Sequence, residues 1–186
     1  MWKAILSPDF FSTILRSATP ILFATLASAI AAKSGICNMA LEGIMLFSAL
    51  FGVIFSSLTH SAWLGLLITM VIGGLIGMIL AFFILNLKTD EILAAIAINL
   101  TATGGTVLIM VAFSGDRGVS SSIRSVSAPT VTLPLIEKIP FIGSVLSGQN
   151  VLTWLAILAV ILLHLFLYKT PLGLAIRAVG ENKNAA

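Results

Sequence analysis

The sequence predicts an all-α, polytopic transmembrane bundle: about five membrane-spanning helices followed by a short amphipathic helix on the cytoplasmic side. Two observations carry this prediction. The 186 residues are 59% hydrophobic and 9% charged, where ordinary soluble domains run at about 25% charged. The apolar residues also form long runs and not the short periodic stripes of a half-buried helix.

A hydrocarbon core of ~30 Å needs about 20 residues of helix. Five segments approach that length: Ser17–Ala32, Cys37–Leu58, Ala62–Leu87, Glu91–Phe113 and Val151–Tyr168. The first and last are short, and the third is long enough to tilt. Met1-Trp2-Lys3 leads into Pro8, Asp9 and Arg16 before the first apolar run. A cleavable signal would have its apolar core directly after the basic start, so the first helix is expected in the mature protein.

The second span opens on Asn38 and Glu42, four residues apart and therefore expected on one helix face. A charge at mid-bilayer costs about 2.5–3.5 kcal/mol. Glu42 lies only about one and a half turns into its span, so its cost is lower. Two roles fit it: lining a solute or proton path, or capping broken-helix amides near Gly35 or Gly43. Along the third span Gly65, Thr69, Gly73, Gly77 and Ala81 recur every four residues. Such a row lets helix backbones approach closely, and packing inside the bundle is the preferred reading over a dimer seam. In the fourth span Asn99, Thr103 and Thr106 make one polar stripe, with Gly104-Gly105 inviting a local break. Neutral hydrogen-bonding groups suit an uncharged polar solute, or they join helices to one another. His164 in the last span stands alone and is read as packed or interface-facing. Trp63, Trp154 and Tyr168 mark span ends, where aromatic rings favour the interface.

The Ser114–Asn150 loop is rich in Ser, Gly and Pro yet keeps Val131, Leu133, Leu135, Ile136, Ile139, Phe141 and Ile142. A flexible linker would lack that apolar content, so a short outer capping element is expected. The tail begins with Thr170 as a cap and Pro171 at the first helical position. Leu172, Ile176 and Val179 then recur at helical spacing, with Arg177 on another face. The short turns at Lys33-Ser34 and Lys88-Thr89-Asp90 and the tail at Lys169, Arg177 and Lys183 all fall on one side of five spans. That side is assigned to the cytoplasm. Lys3, Arg16, Arg117, Arg124 and Lys138 then lie outside, in long segments that cross largely regardless of charge.

Several chemistries are excluded or unsupported. One cysteine, Cys37, allows no internal disulfide and builds no metal site alone. No basic cluster with interleaved aromatics points to nucleic acid. No phosphate-cradling loop, no H-E-x-x-H and no serine elbow occurs, so no catalytic residue is assigned. Gly115-Asp116-Arg117-Gly118 reads as a turn. If ATP is used, another chain binds it.

Three segments resemble the permease subunits of bacterial ABC importers, in the branch serving simple sugars and nucleosides and related to the branched-chain amino acid permeases. They are "ATPILFATLASAIAAKSGICNMALEGIMLFSAL", "DEILAAIAINLTATGG" and "TPLGLAIRAVGENKNAA", the last being the most specific. Ala40 stands where the family usually has Gly, and Lys183 where it usually has Pro. The family usually continues with further spans. The resemblance therefore implies that 1–186 is the N-terminal half of a longer permease fold, as a fragment or a truncated gene product.

The resemblance implies alternating access in a multi-pass protein of the bacterial plasma membrane. The chain would pair with cytoplasmic ABC ATPase subunits, a second permease subunit and an extracellular solute-binding protein. It would bind no cofactor itself, with ATP and Mg on the ATPase. A substrate pathway of Asn38, Glu42, Asn99, Thr103 and Thr106 is expected. ATPase coupling is expected at Thr170, Pro171, Gly173, Arg177, Gly180, Glu181, Asn182 and Ala185, and helix packing at Gly65, Gly73 and Gly77. The residues leave two alternatives open: a proton-coupled carrier using Glu42, or a membrane protein that does not transport.

Overall fold

The computed structural model describes residues 7–115, 123–131, 145 and 147–182. In chain order the elements are α1 (Pro8–Lys33), α2 (Leu41–Thr59), α3 (Ala62–Leu85), α4 (Glu91–Ser114), β1 (Thr130–Val131), β2 (Gln149–Asn150), α5 (Val151–Lys169) and α6 (Pro171–Glu181). The helices α1 to α5 are each long and apolar enough to cross a membrane, and the chain is a multi-pass membrane protein. Contacts gather into two compact units, Met1–Gly35 with Ala128–Ala186 and Ile36–Ser127.

In the first unit α1 starts nine residues earlier than the apolar run predicts. Ser7 accepts a hydrogen bond from the Phe10 amide, Pro8 takes the first turn and Asp9 places negative charge at the positive helix end. Pro20 lies inside the helix without ending it. Thr19, beside it, donates to Leu15 O at 2.9 Å and meets Thr153 Oγ1 of α5 at 2.9 Å. Both threonines are buried, so the α1–α5 seam carries a hydroxyl pair in an otherwise apolar interface. The α5 helix is capped by Asn150, which accepts from the Leu152 amide. β1 and β2 pair antiparallel, Thr130 with Asn150 and Val131 with Gln149. The ribbon lies within the Ser114–Asn150 loop; residues 116–122, 132–144 and 146, on which most of the expected capping element falls, lie outside the described residues.

The second unit is the three-helix set α2, α3 and α4. Its core is small: Ala40, Leu80, Ala94 and Ala95 are buried, with Ile44, Ile84 and Ile98 packed against them. Small residues set the α2–α3 spacing. A side chain on Gly65 would lie 2.8 Å from Ser56 Cβ and 2.9 Å from Gly52 O, and one on Gly73 would lie 3.1 Å from Ser48 Oγ. Nothing lies within 4 Å of the same position on Gly77, so the four-residue row packs only over its first part. Each four-residue step turns the row by about 40°, which carries Gly77 off the contact. Most large side chains point outwards: Met78 is 70%, Leu100 69% and Leu108 72% exposed. In hydrocarbon that exposure carries no hydrophobic penalty.

Candidate functional site

The start of α2 is the most heavily hydrogen-bonded polar locus among the described residues. The connector 34–40 runs without helix, and α2 begins at Leu41, not at Cys37 as expected. Asn38 therefore shares no helix face with Glu42. Its side chain instead accepts from the Ala40 amide at 3.1 Å, a local turn that competes with helix formation. The Cys37 amide donates to Glu91 Oε2 at 3.0 Å and the Gly43 amide to Asn99 Oδ1 at 2.8 Å. Asn99 Nδ2 returns a bond to Met39 O at 3.0 Å. The amide of Asn99 thus spends both ends holding α2 against α4.

This corrects the reading of Glu42 as the cap. Glu42 is exposed in the first turn of α2, where a negative charge suits the helix end. The Gly43 amide is served by Asn99 and the Cys37 amide by Glu91, while the Ser34 and Gly35 amides bond carbonyls of α1. Gly43 is required by the close approach, since a methyl there would sit 2.8 Å from Asn99 Oδ1 and 3.0 Å from Asn99 Cα. Glu91 was not singled out from sequence. Its signal is the neighbouring Asp90, which caps α4 by accepting from Ile92 and Leu93 amides and leaves the second carboxylate free to reach across.

Further along α4, the helix runs unbroken through Gly104-Gly105, contrary to the expected break. Thr103 donates to Asn99 O at 2.9 Å and Thr106 to Ala102 O at 2.6 Å. These threonines satisfy their own helix and do not join another. Both line a groove of about 300 Å³ between α2 and α4, with Leu46, Leu50, Val53 and Met110 among its walls. Their hydroxyl protons are engaged, so they present lone pairs to the groove as acceptors. Asn38, Glu42 and Asn99 do not line it. A second groove of about 690 Å³ in the same unit is walled by Phe47, Ile76, Ile79 and Phe83, with Thr89 and Thr101 its only polar side chains.

The α5–α6 corner is the third locus. Thr170 Oγ1 donates to Phe166 O at 2.6 Å and accepts from the Gly173 amide at 3.1 Å, as expected for a cap, and Pro171 fills the first turn. A side chain on Gly173 would run into Phe166 O and lie 2.6 Å from Leu167 Cα. The Arg177 guanidinium lies 4.8 Å from the centre of the Tyr168 ring, a cation–π contact. His164 stacks on the same ring at 5.0 Å, tilted 34°. Gly173, Arg177 and Gly180 therefore form the inward face of α6.

Of the predicted apolar stripe, Leu172 is 67% and Val179 42% exposed, while Ile176 is half-buried. Small residues and a stacked cation take the inner face because the corner leaves no room for aliphatic side chains. Glu181 and Asn182 are exposed at the end of α6, and Ala185 lies outside the described residues. No group of three or more metal-ligating side chains occurs among the described residues.

A family model described as "Branched-chain amino acid transport system / permease component" matches residues 10–186. A putative glucose ABC transporter permease protein of Haloferax volcanii is 31% identical over 92% of the chain and 51% of the relative. The nucleoside ABC transporter permease protein NupC of Lactococcus lactis is 32% identical over 94% of the chain and 56% of the relative. The guanosine ABC transporter permease protein NupQ of Bacillus subtilis is 30% identical, over 91% of the chain and 54% of the relative. The chain thus spans about half the length of the curated relatives it matches. No solved structure matches it.

Proposed function

Because the chain belongs to the family of branched-chain amino acid transport system permease components, we propose that it is the membrane-spanning part of an ATP-driven importer, with a nucleoside as its solute ahead of a simple sugar. The observation that carries this reading is α6. An 11-residue helix is fixed by its inner face to the ends of the spans and presents Leu172 and Val179, seven residues apart and so on one side, outwards. Such a face is suited to a groove on a cytoplasmic ATPase, which would hold ATP and Mg and change its contacts with α6 through the cycle. A second permease subunit and an outer solute-binding protein would complete the assembly in the plasma membrane.

The α2–α4 groove supports the choice of solute. Its walls are apolar except for acceptor oxygens of Thr103 and Thr106. A nucleobase offers apolar faces and N–H donors to such walls. A hexose is hydroxylated all round, whereas a nucleoside confines its hydroxyls to the ribose and leaves the base to the apolar walls, so fewer hydroxyls are desolvated without a partner. Glu42 lines neither groove.

The test replaces Leu172 and Val179 by Asp in the complete transporter. The ATPase should no longer co-purify and uptake of labelled guanosine should fall to background, while the protein still inserts. Solute-stimulated ATP hydrolysis at the parental rate would sink the reading. Uptake driven by a pH gradient without ATP, and lost in Glu42→Gln, would favour the proton-coupled carrier instead.

A further inference from the structure

We propose that Gly35 and Gly180 form a backbone-on-backbone bearing that makes α6 and the end of α1 move together, with Gly35 a positioning residue for coupling. This rests on the reading of α6 as the segment an ATPase pushes. The α1 terminus is a rigid anvil. Ser34 donates its amide to Ile30 O and Ala31 O and its hydroxyl to Ala31 O, and the Gly35 amide bonds Ala32 O at 3.1 Å. Gly35 then turns the chain at φ +79°, a conformation that side chains rarely adopt.

Against this end sits Gly180. A methyl on Gly180 would overlap Lys33 O, lie 2.9 Å from Lys33 C and 3.1 Å from the Gly35 amide nitrogen. The hydrogen that such a methyl would replace therefore points at the Lys33 carbonyl, a Cα–H···O approach. From the other side, a side chain on Gly35 would meet Gly180 Cα and O, both at 3.2 Å. With Gly173 pressed on the Phe166–Leu167 backbone and Arg177 on Tyr168, α6 is held at three points of one face. Packed backbone has no rotamers to absorb a displacement, so a push on the free face of α6 is delivered to α1 and α5 as a shift of whole helices.

The experiment uses the complete transporter reconstituted with its ATPase and outer binding protein. Spin labels are placed on the exposed Ala32 and Ala178 in a Cys37→Ser background. The Ala32–Ala178 distance should be the same without nucleotide and with ATP trapped. Gly180→Ala should lower solute moved per ATP hydrolysed by about tenfold, the scale of a lost coupling free energy, and broaden that distance. Gly35→Asn tolerates the positive φ but still places a Cβ against Gly180, and should behave alike. A distance change of about 5 Å between states, the scale of a one-turn slip, overturns the proposal. Parental solute-to-ATP ratios in both variants also overturn it. Failure of the importer reading shows in the unmodified transporter, as absence of ATP-driven uptake, and takes the bearing with it. Failure of the bearing alone shows only in the variants and the distance.

Discussion

Asn99 shows how one side chain can hold a membrane helix together. Its carbonyl oxygen takes the Gly43 amide and its amide nitrogen serves Met39 O, two backbone groups that the helix start of α2 leaves without intrahelical partners. Gly43 is buried, so deleting the side chain strands its amide. Asn99→Leu should destabilise the purified protein by about 2 kcal/mol and lower its melting temperature in detergent by about 5 °C. Asn99→Asp keeps the acceptor, loses the donor and should fall between the two. An unchanged melting temperature in Asn99→Leu would show that the α2–α4 tie contributes nothing. Sequence placed Asn99 in a polar stripe but not its partners, because both partners are backbone groups and backbone carries no residue signal. For the same reason Glu42 drew attention that belongs to Glu91: a carboxylate at the head of a span is visible in sequence, while the amide that a carboxylate serves is not.

At the level of elements, the spans were legible because hydrocarbon thickness sets their length, and so were the starts of α3, α4 and α5 at Ala62, Glu91 and Val151; the starts of α1 and α2 were not. α1 begins at Ser7-Pro8-Asp9, a capping signature that outranks the weak hydropathy around Arg16. α2 begins late because Asn38 bonds the Ala40 amide and holds the connector as a turn. The small-residue row of α3 was legible as packing, but its extent depends on helix rotation. This separates two substitutions of identical chemistry. Gly65→Ala adds a methyl 2.8 Å from Ser56 Cβ and should cost about 1–3 kcal/mol by overpacking. Gly77→Ala meets nothing within 4 Å, and should be neutral or stabilising by up to about 1 kcal/mol through helix propensity. Chemical denaturation of both variants in detergent decides it, and equal effects would mean that α3 does not pack on α2 through this row. The outward turn of Leu172 and Val179 was likewise hidden: periodicity shows that α6 has two faces, and only the tight corner at Gly173 shows which one is turned in.

For the whole molecule the open question is which side of the membrane each end of a span occupies, and the connector before α2 allows it to be measured. Five spans put the Lys33 turn, the Lys88 turn and the basic tail on one side, and by the lysines of its short loops we propose that this side is the cytoplasm. Of the opposing charges, Arg117, Arg124 and Lys138 lie in the long 114–150 segment, which crosses with little regard to charge, while Arg16 lies within α1 itself. Cys37 is the single cysteine of these 186 residues and is exposed in the connector between α1 and α2, so the difference between the parent and Cys37→Ser reports one loop. A membrane-impermeant maleimide should leave Cys37 unlabelled in intact cells and label it in inside-out vesicles, and Cys37→Ser should abolish the signal. The same side must then hold α6, since an even number of spans, α2 to α5, separates Cys37 from it. A cysteine at exposed Ala178 in the Cys37→Ser background should follow the same pattern. Labelling of Cys37 from outside intact cells would invert the topology, put α6 beyond the reach of a cytoplasmic ATPase, and so remove the ground on which the coupling role stands.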